Sequence, residues 1–338
     1  MKNILVVSYS IIAALIGAGF ASGQEILCYF TSFNKYGIIG IITVAIFFTF
    51  FIYTVLKICI KYNPDTYDNF LCIFKSKKTK NLIKFITLLF AFAVYSAMIS
   101  AFSEIIYDIF SLPRPVGALL CTVISAAIFS FGTDRIFMFN GFLGLVLVFA
   151  IVLSCLYMLC YREFHVFSNQ YSKPLESGLI YSGYNLVSIT PVIITLSKKL
   201  KSKNDIIAVS VSTGIITCII MTLVFGLISI YQGKIELGPL PMLTIAKRQN
   251  HGFAVAYGLI LSVAIITTLF SSGGEIVDAL NLKGKVINVF FISFSAFALS
   301  GIGFANLIGT AYKICGIIGF FVCLAIVISS EKYFLKKE

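Results

Sequence analysis

Charge is scarce in this sequence. Of its 338 residues, 12% are Asp, Glu, Lys or Arg and 59% are hydrophobic, which excludes an ordinary water-soluble domain. Histidine is scarcer still: His165 and His251 lie far apart, on segments between hydrophobic runs, and none of the nine cysteines falls in a CxxC pair. Without a His/Cys cluster at ligand spacing, a zinc site and a disulfide framework are set aside, and the cysteines read as small apolar residues. No ATP-binding motif and no nucleophile constellation is present, so the chain is not expected to be an enzyme and needs no cofactor.

What is present is hydrophobic sequence in long runs. About ten of them approach the roughly 20 apolar residues that a helix needs to cross a hydrocarbon core. They cover residues 4–32, 37–60, 82–110, 115–132, 137–160, 178–198, 205–231, 252–278, 285–303 and 306–330. The predicted fold is all-α, a polytopic membrane protein with a single membrane domain. The first run is too long, too glycine-rich and too polar in its centre for a signal peptide. A net charge of +12 would suit a nucleic-acid binder, but its placement argues otherwise. Lys and Arg crowd alternate loops, with Lys75, Lys77, Lys78 and Lys80 in one, Lys198, Lys199, Lys201 and Lys203 in another, and Lys332, Lys336 and Lys337 at the end. The opposite loops carry fewer, among them Lys35, Arg114, Arg162, Lys173 and Lys247. By the positive-inside rule both termini are cytoplasmic, and the partner is the lipid bilayer of the cell membrane, with no nucleic acid.

Two spans are interrupted. Residues 14–25 put Gly17, Gly19, Gly23, Ser22, Gln24 and Glu25 inside span 1, and residues 181–191 put Tyr181, Ser182, Gly183, Tyr184, Asn185, Thr190 and Pro191 inside span 6. Glycine permits a departure from helical geometry, and a helix that breaks at membrane depth exposes backbone groups able to bind a solute. Each break carries a restart signal: Ser22 with Glu25 fits a capping box, and Thr190 before Pro191 fits an N-cap with proline at the first helical position. The competing reading is close helix packing through small residues. Gly183 follows Gly17 by nearly the interval that separates Glu275 from Glu104, two residues in the similar segments Ser103–Asp108 and Gly274–Asp278. Span 1 thus matches span 6 and span 3 matches span 8. Because each unit holds five spans, the second enters from the opposite side. Residues 1–162 and 176–338 form a 5+5 inverted repeat with helices 1 and 6 broken.

This pattern resembles the LeuT-fold transporters of the amino acid-polyamine-organocation superfamily. The stretch Gly17 to Glu25, Gly-Ala-Gly-Phe-Ala-Ser-Gly-Gln-Glu, is similar to the bacterial YkvI-like amino acid permeases. The resemblance implies a substrate site at Gly17, Ala18, Gly19 and Phe20, with Tyr181, Ser182, Tyr184 and Asn185 from span 6 and Tyr95 or Ser96 from span 3. It also implies a sodium site built from the carbonyls of Ala14 and Gly17 and the hydroxyls of Thr268, Ser271 and Ser272, although such hydroxyls often bond their own helix instead. Residues 137–160 contain no lysine to replace that ion. Glu25 and Lys313, both expected in the outer half, suggest an ion pair acting as an external gate, with a capping role for Glu25 and a proton-linked role for Lys313 as the alternatives. The function expected is a secondary active transporter, an amino acid permease or symporter for a small amino acid or related amine, driven by sodium or protons. A non-transporting sensor, such as a spore germinant receptor subunit, is the competing class.

Overall fold

The computed structural model describes residues 2–131, 136–159, 173–282 and 285–334. Arg135, Cys160, Arg162, His165, Lys283, Lys336 and Lys337 lie outside them. The first segment comprises α1 (Lys2–Leu15), α2 (Ala18–Ala21) and α3 (Gln24–Tyr29), and a 3-10 turn over Thr31–Tyr36 leads into α4 (Gly37–Tyr62). A short α5 (Tyr67–Phe70) precedes α6 (Lys77–Phe110), α7 (Arg114–Phe131), α8 (Ile136–Leu159), α9 (Pro174–Ser197) and α10 (Lys203–Tyr231). Then come α11 (Pro241–Gln249), α12 (His251–Ala279), α13 (Val286–Ser300), α14 (Phe304–Gly309) and α15 (Ala311–Phe334).

Among the described residues, six helical segments are long and apolar enough to cross a membrane: Thr31–Tyr62, Lys77–Phe110, Pro174–Ser197, Lys203–Tyr231, His251–Ala279 and Phe304–Ser330. Four shorter apolar helices, Asn3–Leu15, Arg114–Ser130, Val146–Leu159 and Val286–Ser300, lie at the other predicted positions. Helix dominates for a physical reason, since hydrocarbon offers no partner to a backbone N–H or C=O and a helix pairs them internally. Side-chain hydroxyls follow the same rule. Thr54 donates to the Phe50 carbonyl, Ser96 to Phe92 and Thr122 to Ala118, each one turn back on its own helix. Helix starts are capped by Ser76 on α6, by Asn250 on α12 and by a Ser202/Asp205 capping box on α10. On α5 the Tyr67 hydroxyl meets Thr87 of α6 at 3.1 Å, and burial pushes the phenol up to about 12.

The predicted break in span 6 is absent. α9 runs unbroken from Pro174 to Ser197 with Pro191 inside it, so Thr190 is not an N-cap. Proline removes one intrahelical N–H, but the polar side chains that suggested a break are spent on the same helix. Ser182 donates to the Gly178 carbonyl, Asn185 to Tyr181, Ser188 to Tyr184 and Thr190 to Leu186. Gly183 serves packing. A Cβ there would strike the Gly316 carbonyl and come within 2.5 Å of the Phe320 nitrogen, while a Cβ on Gly319 would come within 2.5 Å of the Gly183 carbonyl. α9 and α15 therefore touch backbone to backbone, the arrangement small residues allow where lipid supplies no hydrophobic drive between helices.

We predict that Gly183→Ala destabilises the purified protein by about 1–3 kcal/mol, the usual range for an overpacked core, seen as a lower thermal midpoint in detergent. Gly226→Ala, where nothing lies within 4 Å of the added Cβ, should leave the midpoint unchanged or raise it. A G183A protein that melts with the wild type would contradict the interlock.

Candidate functional site

The first segment is broken twice. α1 ends at Leu15, Gly17 is extended (φ −82°, ψ −174°), and α2 makes a single turn. Gly23 then adopts a left-handed conformation (φ 80°), which glycine alone enters without steric cost, and α3 restarts. Backbone groups released at these breaks are buried and must find partners within the protein. Neighbouring helices supply them. The Ala18 amide donates to Thr268 Oγ1 of α12 at 3.2 Å, and Tyr257 Oη of α12 donates to the Ala21 carbonyl at 2.6 Å. The Ser22 carbonyl accepts the Met242 amide of α11 at 2.9 Å. Ser22 Oγ donates to the Gly19 carbonyl at 2.8 Å and accepts from the Gln24 amide at 3.2 Å.

The expected capping box is not formed. Gly23 is the N-cap of α3 and no side chain caps it, because Ser22 is occupied closing the turn and Glu25 points elsewhere. Glu25 folds back over Gly19, where an added Cβ would collide with its carboxyl group. That carboxyl is buried, 6% exposed, and approaches the phenols of Tyr184 and Tyr181 from α9. Tyr29 of α3 and Tyr312 of α15 complete the surroundings, with ring centroids 5.5 Å apart for Tyr29–Tyr181, 5.5 Å for Tyr181–Tyr184 and 5.0 Å for Tyr184–Tyr312. The hydroxyls of Tyr29 and Tyr184 are buried and make no well-formed hydrogen bond.

The predicted residues thus divide. Gly17, Ala18, Gly19 and Phe20 lie at the break, and Tyr181 and Tyr184 face it through Glu25. Ser182 and Asn185 are buried on the same helix but bond its own carbonyls. Tyr95 belongs elsewhere: its hydroxyl bonds Ser125 of α7 at 2.7 Å and Ser293 of α13 at 3.0 Å, so it ties scaffold helices together. Thr268 does reach Gly17, standing 3.2 Å from where a Cβ would be. Its hydroxyl, however, donates to Ala264 at 2.9 Å as well as accepting from Ala18, and Ser272 donates to the Thr268 carbonyl. The Gly17 carbonyl, another of the expected sodium ligands, accepts the Ala21 amide at 3.0 Å, while Ser271 is half-buried and Ala14 is exposed. The Glu25–Lys313 gate is not formed. Lys313 is exposed, and among the described residues no cation lies within ion-pair distance of Glu25, whose carboxyl has turned inward.

α11, a helix that hydropathy did not announce, packs against the break, with Met242 beside Gly23. Its Met242, Leu243, Ile245 and Ala246 are buried. Its Lys247 pairs with Asp108 of α6 at 2.9 Å. Arg114, at the start of α7, pairs with the buried Glu104 at 2.8 Å and lies 4.0 Å over the Tyr107 ring. Tyr29 could have been found from sequence, standing one helical turn after Glu25 on the same face. Tyr312 adjoins Lys313 in sequence.

No protein-family model matches the chain. It is 23% identical over 332 residues to the uncharacterized protein YyaD of Bacillus subtilis (strain 168), covering 93% of this chain and 94% of that one. It is likewise 23% identical over 320 residues to the uncharacterized membrane protein YkvI of the same organism, covering 90% of each. Among solved structures it is similar to a mutant of the Eremococcus coleocola manganese transporter, with TM-score 0.60, 15% identity and coverage of 95% of this chain and 78% of that one. It is also similar to Mhp1, a nucleobase-cation-symport-1 family transporter, with TM-score 0.61, 13% identity and coverage of 92% and 74%. The chain therefore shares the fold of these two transporters and, with its apolar helices, is a multi-pass membrane protein.

Tyr257→Phe tests how the break is held. It removes the partner of a buried carbonyl, so we expect a loss of about 1–2 kcal/mol, read as a lower thermal midpoint in detergent. An unchanged midpoint would show that Ala21 has another partner.

Proposed function

We propose that this chain is a secondary active transporter of the cell membrane for a small amino acid or related amine. It is coupled to sodium or protons and alternates access around the break in its first segment. The observation that carries this reading is the backbone interrupted at residues 16–23, flanked by a buried carboxyl group and tyrosines, in a fold shared with two transporters. Ten crossings arranged as inverted five-helix repeats, residues 1–162 and 176–338, with both termini cytoplasmic, form the framework of this proposal. Aromatic rings around a single carboxyl group suit an organic solute better than a metal cargo such as that of the manganese transporter. Among the described residues no three His, Cys, Asp or Glu side chains gather in a metal-binding group. Thr268, which accepts the Ala18 amide, remains the proposed ion ligand.

Proteoliposomes preloaded with single amino acids should show counterflow of the labelled solute, enhanced by a sodium or a proton gradient. Gly17→Val would push into Thr268, and we expect it to reduce that uptake about tenfold or more, the rate equivalent of a strain above about 1.4 kcal/mol. A folded protein that binds amino acids but drives no counterflow would overturn transport in favour of a sensor.

A further inference from the structure

Glu25 is a buried carboxyl group with no ion-pair partner among the described residues, in a setting where a buried charge costs several kcal/mol unless matched. Four tyrosines from three separate helices surround it. Their ring planes lie at 71° for Tyr29–Tyr181, 79° for Tyr181–Tyr184 and 52° for Tyr184–Tyr312, so they form differently facing walls and not a stack. The hydroxyls of Tyr29, 1% exposed, and Tyr184, 5% exposed, lack a well-formed hydrogen bond, although buried polar groups are almost always paired. A buried carboxyl group, aromatic faces and two phenol oxygens without a well-formed hydrogen bond, one of them beside that carboxyl, therefore converge on one place.

Each of these features asks for the same complement. Aromatic faces attract cations through their quadrupoles, most strongly where water is excluded. A carboxylate attracts a cation by charge, and phenol oxygens accept hydrogen bonds. A primary ammonium group has one positive charge and three N–H donors, enough for the carboxylate and both phenols together. A quaternary ammonium would satisfy the charge and the rings but leave the phenols unmatched. A carboxylate ligand would be repelled.

We propose that Glu25, Tyr29, Tyr181, Tyr184 and Tyr312 form a subsite for the primary ammonium group of the substrate. This rests on the reading of the break as a substrate site. In this reading the break receives the cationic end of the solute at Glu25.

The test uses purified full-length protein in detergent, with n-butylammonium, tetramethylammonium and butyrate as probes at equal ionic strength. Thermal shift and calorimetric titration are the readouts. Butylammonium should stabilise the wild type, tetramethylammonium less, and butyrate not at all. Glu25→Gln keeps the side-chain shape and removes the charge, so it should fold, and it should weaken butylammonium binding roughly tenfold or more. Tyr29→Phe and Tyr184→Phe should each weaken it several-fold while leaving tetramethylammonium binding unchanged. The proposal is overturned if no amine stabilises the protein, if butyrate binds as well, if E25Q binds butylammonium like the wild type, or if E25Q loses only a stabilisation by sodium chloride. Counterflow separates this from the transport reading. Glu25-dependent amine binding without counterflow would leave the subsite standing and transport refuted. Counterflow of a solute without a cationic nitrogen, retained in E25Q, would do the reverse.

Discussion

A backbone polar group buried at membrane depth has to be met by protein, and the interruption at residues 16–23 makes that demand several times within a few residues. The surrounding structure is organised by how it is answered. Thr268 and Tyr257, separated by about three turns of α12, reach the two ends of α2, and an amide in the first turn of α11 reaches the Ser22 carbonyl. A departure from helix in one segment has thereby fixed the placement of two others. The glycines act on the same constraint from the opposite direction: Gly17 lets Thr268 approach, Gly19 leaves room for the Glu25 carboxyl, and Gly23 turns the chain.

Charge is distributed by similar logic. The charged side chains that pair, Glu104 with Arg114 and Asp108 with Lys247, do so at helix ends and in the α11 region, and Asp65 with Lys198 and Asp68 with Lys84 do so at exposed positions worth little individually. Glu25 stands apart from these. It is enclosed by aromatic rings and faces backbone that its own segment has unwound.

Much of the architecture was legible in the sequence because hydropathy over about 20 residues reports a membrane crossing almost directly. The break in the first segment was legible for a related reason: Gly17, Gly19 and Gly23 cluster with polar residues where neither belongs in an uninterrupted helix. The same signs misled in α9. There the hydroxyls and the Asn185 amide bond the carbonyls of their own helix, and Gly183 admits α15, a contact between segments far apart in sequence that no local pattern carries. The direction of Glu25 was equally hidden. Spacing from Ser22 suited a capping box, but the turn at Gly23 took the cap position, and a rotamer directed at α9 is decided by packing. Tyr95 failed for that reason too, since its hydroxyl answers Ser125 and Ser293 on helices the motif never involved.

The backbone contact between α9 and α15 also decides how the aromatic enclosure is built. Gly183, Gly316 and Gly319 bring these two helices into backbone contact, so Tyr184 and Tyr312, carried one on each, are held side by side. Glu25 and Tyr29 ride on α3, a short helix hung between a left-handed glycine and a 3-10 turn. The aromatic enclosure is thus assembled from one interlocked helix pair and one short segment whose direction is set at Gly23.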